Sequence, residues 1–212
     1  SLIKKEFING TVANIRRDPL ANLKTNLSWA LPLTANQSLA LNKITPSLRK
    51  VAAGVGSGEV FLLHGITGSG KTEVYLQALA EAVKLGKKGI VLVPEIALTP
   101  QTLERFTARF PGRVAILHSQ LTLGEQFDEW TRIRNDEVDV VVGPRSAIFA
   151  PQPDLGLIVI DEEHEWSYKQ TDRVPTYHAR DVALRLAGLT GASVILGSAT
   201  PDIETYYHTR NG

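Results

Sequence analysis

The sequence predicts a three-layer α/β domain with a mostly parallel sheet, and two observations carry this prediction. From residue 59 onward, short runs rich in Val, Ile and Leu alternate with longer amphipathic stretches that have the length of right-handed crossover helices. The runs show little inside–outside alternation, which is typical of strands covered on both faces. The six predicted strands are Glu59–His64, Gly89–Val93, Val114–His118, Val138–Val142, Leu157–Ile160 and Ser193–Leu196.

Residues typical of helix ends support this alternation. Thr99 precedes a proline, which predicts an N-cap followed by a first-turn proline. Thr122 and Glu125 have the spacing of a capping box, in which each side chain bonds the backbone of the other residue. Gly188 and Gly191 are expected to bracket the end of the helix before the last predicted strand, because glycine tolerates the left-handed backbone of a helix end.

The composition is that of a soluble globular domain. The chain has 212 residues, of which 43% are hydrophobic and 21% are charged, and its net charge of +1 does not by itself indicate a nucleic-acid partner. It contains no cysteine, which excludes disulfides and thiolate zinc sites. No apolar run is long enough to span a membrane, and no signal-peptide pattern is present, so we expect a cytoplasmic location.

The first part of the chain differs from the rest. Residues 1–32 are less apolar and lack the strand–helix alternation, so we expect the tail of a preceding domain and a linker there, with the α/β domain at residues 33–212. The chain begins at Ser1 and contains no methionine, and we expect it to be a piece of a longer protein.

A glycine-rich loop lies between the first predicted strand and the following helix. Residues 65–72 read GITGSGKT, which fits the phosphate-binding pattern G-x-x-x-x-G-K-[ST] in its required setting. Backbone amides and the positive helix N-terminus are expected to bind phosphate oxygens. Lys71 would add a charge at the β- and γ-phosphates, and Thr72 a hydroxyl ligand for Mg²⁺. The predicted nucleotide-binding residues of this loop are Gly65, Thr67, Gly68, Ser69, Gly70, Lys71 and Thr72.

An acidic box ends the fifth predicted strand. The apolar residues 157–160 are followed by Asp161, Glu162, Glu163 and His164. Such a cluster alone is often a solvated turn, but its pairing with a phosphate loop favours a Mg²⁺ ligand at Asp161 and a water-polarising group at Glu162. The second acid favours ATP hydrolysis over phosphate transfer by a kinase. For His164, a surface position and a relay to the next motif stay equally open.

A third element follows the last predicted strand. Residues 197–201 read GSATP, and short hydroxyl side chains at the end of a parallel strand can bond the acidic box and sense the nucleotide. The pentapeptide alone carries little information. Phosphate loop, Asp-Glu-x-His box and Ser-Ala-Thr in this order resemble superfamily 2 helicases. The resemblance implies a RecA-like P-loop NTPase domain, the first motor lobe of such a helicase.

Longer segments resemble the PriA family of replication-restart helicases. The similarity covers about residues 33–206, and residues 1–18 are similar to the end of that family's winged-helix domain. It rests on the phosphate loop GITGSGKTEVY, the motif Ia counterpart LVPEIALTPQ, the segment around LHS, the motif Ib counterpart VGPRSAIFAP, the acidic box with the aromatic-rich loop after it, and GSATP.

The resemblance implies further site residues. Gln37 matches the glutamine with which the family reads adenine. Residues 166–177 match a loop that senses single-stranded DNA, since aromatic faces stack bases and basic groups meet phosphates, although packing on its own lobe is an open alternative. Capping competes equally with DNA contact for the threonine before motif Ia's proline. The implied DNA-binding or coupling residues are Thr99, Gln101, Arg145, Ser146, Trp166, Tyr168, Lys169, Tyr177 and Thr200.

For the parent protein, the resemblance implies ATP- and Mg²⁺-dependent 3′→5′ DNA unwinding that remodels stalled forks and restarts replication. Implied partners are forked and single-stranded DNA, primosome proteins and single-strand-binding protein. The resemblance also implies that the parent protein holds zinc in a cysteine-rich segment that is not in this chain. Without a second lobe and its arginine finger, the fragment is expected to hydrolyse ATP weakly. Another superfamily 2 translocase, an RNA helicase, a phosphotransferase and a non-hydrolysing nucleic-acid-binding module remain alternatives.

Overall fold

Eight strands occur in the part of the chain that the computed structural model describes, which is residues 17–20, 27–172 and 174–211. Six of them form one parallel sheet, and the other two form a short antiparallel pair. In chain order they are β1 Val60–His64, β2 Lys88–Leu92, β3 Val114–Ile116, β4 Val140–Gly143, β5 Leu155–Asp161, β6 Lys169–Gln170, β7 Tyr177–His178 and β8 Ser193–Ser198.

The described residues also form six α-helices and three short 3₁₀ helices. None of the helices in these ranges is long and apolar enough to cross a membrane. The α-helices are α1 Ala35–Ala53, α2 Lys71–Lys84, α3 Pro100–Arg109, α4 Leu123–Arg134, α5 Ala179–Thr190 and α6 Ile203–Asn211, and the 3₁₀ helices are Glu95–Ala97, Arg145–Phe149 and Trp166–Tyr168.

The order of strands in the large sheet is β1-β8-β5-β2-β4-β3, and all of its pairings are parallel. The predicted α/β architecture and all six predicted strands are therefore confirmed, with small shifts in their ends. The N-cap at Thr99 and the capping box of Thr122 and Glu125 are confirmed as well. The predicted end of the helix before the last strand is confirmed too, because α5 ends at Thr190, between Gly188 and Gly191, and Gly191 has a left-handed φ of 75°.

The sheet is covered on both faces, which explains its unbroken apolar strands. One face packs against α1, α2 and α3 in a core that includes Leu48, Leu79 and Phe106. The other face packs against α4 and α5, through Ile133 and Ala183 among others. Because both sides of the central strands are buried, the chemistry of the domain is restricted to the edge where the strands end.

Part of the predicted linker lies against the domain. The Leu31 amide donates to Glu73 on α2, and the Trp29 carbonyl accepts from Arg109 on α3. Residues 1–16 and 21–26 lie outside the described residues, and with them most of the expected winged-helix tail. The predicted boundary near residue 33 stays a prediction.

The N-cap of α5 predicts a specific loss of stability in acid. The His178 Nδ1 atom accepts a hydrogen bond from the Arg180 amide, and burial, with the positive charge of Arg180, lowers the pKa of this imidazole. The unfolded chain therefore binds a proton that the folded protein resists, so stability falls as pH drops below the ordinary histidine pKa of about 6.5.

We expect His178→Asn to reduce the fall in Tm between pH 7 and pH 5, because asparagine caps helices without titrating. The fall should not vanish, since burial also lowers the pKa of His118. Thermal melts across this range measure the effect, at roughly 2–4 °C per kcal/mol for a domain of this size. A fall in H178N as steep as in the original protein would contradict this role for the cap.

Candidate functional site

The phosphate loop forms the turn between β1 and α2 and has the backbone that its glycines permit. Gly68 and Gly70 have φ angles of 79° and 80°, in the left-handed region that other residues rarely adopt. A Cβ atom at Gly70 would also lie 2.4 Å from the Gln37 Nε2 atom. The first amides of α2 therefore face the loop without a side chain in the way, as an anion site at a helix N-terminus requires.

Lys71 and Glu162 lie together at this loop. The Lys71 Nζ atom donates to the Gly65 carbonyl at 2.8 Å and is 3.6 Å from the Glu162 Oε1 atom. The Lys71 side chain is largely buried, whereas that of Glu162 is partly exposed. The predicted phosphate-binding cation and the predicted water-polarising carboxylate thus occupy one site, as the sequence motifs require.

Asp161 ends β5 and is held by a residue of α2. Its Oδ1 atom accepts a hydrogen bond of 3.0 Å from the Tyr75 hydroxyl. Burial raises the pKa of the Asp161 carboxyl, while the Tyr75 hydrogen bond and the charge of Lys71 act in the opposite direction. A bound cation would favour the ionised form, which makes this buried carboxylate a suitable metal ligand.

A cavity of about 810 Å³ connects these groups, and its size is within the usual range for small-molecule sites. The Thr72 hydroxyl and the Asp161 carboxylate both line it, and oxygen ligands of these kinds, completed by phosphate oxygens, suit Mg²⁺. The cavity lining therefore fits a nucleoside triphosphate with its metal ion. The predicted nucleotide-site residues in this lining are Thr67, Gly68, Gly70, Lys71, Thr72, Asp161 and Glu162.

The Ser-Ala-Thr element contacts the acidic box directly. The His164 Nδ1 atom lies 2.7 Å from the Ser198 hydroxyl oxygen, and this oxygen also accepts a bond from the Thr200 amide. The same Nδ1 atom is 3.8 Å from the Glu162 Oε2 atom. Of the two alternatives for His164, this geometry favours the relay between the acidic box and the next motif.

The turn after β5 has an unusual backbone at Glu162. Its φ angle of 48° is left-handed, which costs a residue with a side chain about 1–2 kcal/mol. Two hydrogen bonds support the turn: the Glu163 amide donates to the Gly197 carbonyl, and the Tyr168 hydroxyl donates to the Asp161 carbonyl at 2.6 Å. The strained residue is thus the one predicted to face the attacking water.

Gln37 bonds within the chain at both ends of its amide. Its Oε1 atom accepts from the Thr34 amide as part of the capping box of α1, and its Nε2 atom donates to the Ser69 carbonyl at 2.8 Å. Gln37 therefore ties α1 to the phosphate loop. The adenine-reading role implied by the resemblance stays a prediction.

The two predicted motif Ia residues, Thr99 and Gln101, have different surroundings. The Thr99 hydroxyl accepts from the Thr102 amide, which confirms capping, the alternative left open for this residue. Gln101 is exposed and lines the same cavity as the phosphate loop. Its contact with DNA stays a prediction.

The motif Ib arginine is engaged by the aromatic-rich loop. The Arg145 guanidinium donates to the Lys169 carbonyl at 3.1 Å and pairs with Asp172 at 3.5 Å. It begins a 3₁₀ helix of five residues, in which Ser146 is exposed. Arg145 therefore links two predicted DNA-binding segments, because its guanidinium bonds to the aromatic-rich loop.

The aromatic-rich loop turns one ring outward and one inward. Trp166 is 81% exposed, with the Lys169 ammonium 5.9 Å from its ring centre, an arrangement suited to stacking a base beside a phosphate. Tyr168 is fully buried, so its implied contact with DNA is corrected, although its bond to the Asp161 carbonyl suits a coupling role. Tyr177 is half-buried and packs edge-to-face on Phe149.

The residues that the sequence did not indicate lie behind the acidic box. Tyr75 holds Asp161, and Glu163 is buried in contact with Arg180 and Thr205. Tyr75 carries a signal that could have been used, because it lies one helical turn after Lys71 and so faces the same strand ends. Nothing in the sequence distinguishes Glu163 from a solvated acid.

Comparison with known families agrees with this geometry. The family model for DEAD/DEAH box helicases matches residues 34–208. The chain belongs to this family.

Named proteins of several bacteria are close relatives. The chain is 47% identical over 212 residues to replication restart protein PriA of Bacillus subtilis (strain 168), which covers 100% of this chain and 26% of that protein. It is 46% identical over 197 residues to PriA of Haemophilus influenzae, covering 90% of this chain and 27% of that one. The predicted resemblance to the PriA family is confirmed, and the chain spans about a quarter of the length of these curated relatives.

A solved structure of a DNA-bound protein has the same fold. The structure of RecG bound to a three-way DNA junction is similar with a TM-score of 0.59 and 25% identity, over 83% of this chain and 22% of that chain. The RecA-like class of the DEAD/DEAH box domain is thereby confirmed.

Because Trp166 points outward and Tyr168 points inward, we expect substitutions at the two positions to change different properties. We expect Trp166→Ala to weaken single-stranded DNA binding by the parent protein by about 1–3 kcal/mol, because an exposed stacking surface is lost, with little change in stability. Tyr168→Phe should leave the Asp161 carbonyl without this donor and lower the free energy of unfolding by about 1 kcal/mol. Fluorescence anisotropy and urea denaturation measure the two effects, and a stability loss in W166A equal to that in Y168F would contradict the assignment.

Proposed function

We propose that this chain is the ATP-binding motor lobe of a DNA helicase that remodels stalled replication forks. The observation that carries the proposal is the convergence of Lys71, Asp161 and Glu162 on one cavity at the ends of β1 and β5. A structural turn would not need an ammonium, a buried carboxylate and a strained second carboxylate to meet at a helix N-terminus.

The reaction is hydrolysis of the γ-phosphate of ATP. The amides of the phosphate loop and the Lys71 ammonium bind the phosphates and offset their negative charge. Glu162 polarises a water molecule, whose oxygen bonds to the γ-phosphorus while the bond from that phosphorus to the bridging oxygen breaks. The products are ADP and inorganic phosphate. One proton of the water passes to the Glu162 carboxylate and on to solvent, and the other stays on the phosphate.

Asp161 and Thr72 are the residues that would hold Mg²⁺. The metal would neutralise charge on the phosphate oxygens during this reaction. The burial of Asp161 supports this assignment, because a carboxyl whose pKa is raised by burial gains the most from a neighbouring cation.

The fork substrate is inferred from relatives. The similar proteins are named replication restart proteins, and RecG is bound to a three-way DNA junction. We infer 3′→5′ movement on forked or single-stranded DNA in the cytoplasm, with primosome and single-strand-binding proteins as partners and zinc bound elsewhere in the parent. The buried Tyr168 is proposed as a coupling residue of this lobe. The other proposed DNA-binding or coupling residues are Thr99, Gln101, Arg145, Ser146, Trp166, Lys169, Tyr177 and Thr200.

The alternatives are separated by their products and activators. A phosphotransferase would form a phosphate ester in place of free phosphate. An RNA helicase or another superfamily 2 translocase would respond to RNA or to unforked duplex better than to forked DNA. A non-hydrolysing module would bind nucleic acid without turnover. Assays of the full-length parent with forked DNA, duplex DNA and RNA distinguish these outcomes.

The two charged residues of the site should have separable effects in the full-length parent. We expect Lys71→Ala to abolish ATP hydrolysis through lost phosphate binding. Glu162→Gln should keep ATP binding and lower kcat by about 10²-fold or more, because the amide cannot accept the water's proton. Lys84→Ala, at the far and exposed end of the same helix, is the matched control. Turnover by K71A similar to that of K84A would remove Lys71 from the mechanism.

The isolated chain should bind ATP but hydrolyse it slowly. A second lobe ordinarily supplies an arginine finger, which is worth about 10³–10⁵-fold in rate in related phosphate-transfer enzymes. Calorimetry with a non-hydrolysable ATP analogue and a phosphate-release assay on residues 1–212 measure binding and turnover. DNA-stimulated turnover by the fragment at the rate of the parent would contradict the proposed division between two lobes.

A further inference from the structure

A buried charge cluster lies directly behind the acidic box. The Glu163 carboxylate is fully buried and accepts hydrogen bonds from three donors: Arg180 Nη1 at 3.2 Å, Thr205 Oγ1 at 3.1 Å and the Asp202 amide at 2.8 Å. Burying a carboxylate is costly unless its oxygens are paired in this way. The proposed hydrolysis does not use Glu163, so this cost calls for another explanation.

Arg180 is the cation of the cluster, and its side chain is mostly buried. Besides Glu163, its guanidinium donates to the Thr205 hydroxyl at 2.9 Å and pairs with Asp202 at 3.3 Å. The carboxylates of Asp181 and Glu204 lie further out, at 3.8 Å and 3.6 Å. The planar guanidinium presents five N–H donors in a fixed fork, so it can pair with several partners at once.

The members of the cluster come from three segments with different tasks. Glu163 belongs to the acidic turn. Arg180 lies in the first turn of α5, which follows the aromatic-rich loop and β7 directly. Asp202 and Thr205 lie where the chain enters α6, just after the Ser-Ala-Thr element. The cluster therefore joins the nucleotide side of the lobe to the start of the helix behind the proposed DNA-binding loop.

The cluster also anchors a strained turn. Glu162, with its φ of 48°, lies between Asp161 at the end of β5 and the buried Glu163. The Glu163 amide is bonded to the Gly197 carbonyl, and its carboxylate is bonded to Arg180. A residue in a rarely populated conformation keeps it when both neighbours are held, and here Glu163 is the neighbour on one side.

We propose that Glu163 and Arg180 are positioning residues for ATP hydrolysis. Their ion pair holds Glu162 in its left-handed conformation and transmits movement of the aromatic-rich loop to it through the start of α5. This inference rests on the proposed function, because it assigns the pair to the same nucleotide site. Neither side chain is a catalytic residue, since neither lines the nucleotide cavity described above.

The test compares Glu163→Gln with Glu129→Gln in the full-length parent. The first substitution keeps the size of the side chain, but the new amide nitrogen faces donors on Arg180 or Thr205, so the ion pair is broken. Glu129 forms an equally buried pair with Arg132 at 2.7 Å on α4, outside the nucleotide cavity. Glu129→Gln therefore controls for the loss of stability that replacing any buried, paired carboxylate would cause.

The readouts are kcat with and without forked DNA, KM for ATP, and affinity for a fluorescent ATP analogue. For E163Q we expect kcat to fall about tenfold or more and DNA stimulation to shrink, with analogue affinity within about twofold, as when a group that orients an active-site residue is removed. E129Q should lose stability but keep the stimulation ratio. Arg180→Lys, which retains the charge, should give a smaller fall in the same direction.

The outcomes decide between the ideas. Equal kcat and stimulation in E163Q and E129Q, corrected for folded fraction, would overturn the positioning role while leaving the helicase assignment intact. Absence of DNA-stimulated hydrolysis in the unmutated parent would instead overturn the proposed function. If E163Q does not fold, R180K decides: a reduced stimulation ratio with unchanged analogue affinity supports the inference, and a ratio like that of E129Q overturns it.

Discussion

Two backbone hydrogen bonds at the end of β8 hold the whole site together. The Gly65 amide donates to the Ser198 carbonyl on one side of this strand, and the Glu163 amide donates to the Gly197 carbonyl on the other. The phosphate loop and the acidic turn are thus both fastened to one central strand, although they lie almost a hundred residues apart in the chain. Parallel strands make this possible, because their carboxyl ends share one edge of the sheet. The distances from Lys71 to Asp161 and Glu162 depend on how β8 holds the phosphate loop and the acidic turn next to each other.

Two residues at this edge of the sheet lower the stability of the folded protein. Burial raises the pKa of the Asp161 carboxyl, so its ionised form is disfavoured in the folded protein, and Glu162 has a left-handed backbone that costs free energy. Both costs fall on residues that meet the nucleotide. The core on each face of the sheet is built from buried hydrophobic side chains, and their burial offsets these costs. Local violations of stability rules concentrated at one edge are typical of a functional site.

The sequence predicted the parts of the site that depend on local pattern. Strand positions, the loop at residues 65–72 and the order of the motifs follow from apolar runs and residue types that neighbour each other in the chain. It did not predict the contact of Tyr75 with Asp161 or the burial of Glu163 and Tyr168, because these depend on how helices and loops pack across the sheet. Periodicity identifies a strand or helix, but it does not say which side chain of an irregular loop turns inward, and a buried acid has the same letter as a solvated one.

The aromatic-rich loop illustrates why that missing information matters for function. Trp166 points to solvent and Tyr168 points to the interior, and only one residue separates them. The hydroxyl of Tyr168 bonds the carbonyl of Asp161, while the far end of the loop leads into α5 and Arg180. A base stacked on Trp166 would therefore act on a segment whose two ends both contact the acidic turn. The connection needs no long chain of side chains across the domain, because the loop that is proposed to meet DNA and the turn that is proposed to orient water are already bonded neighbours.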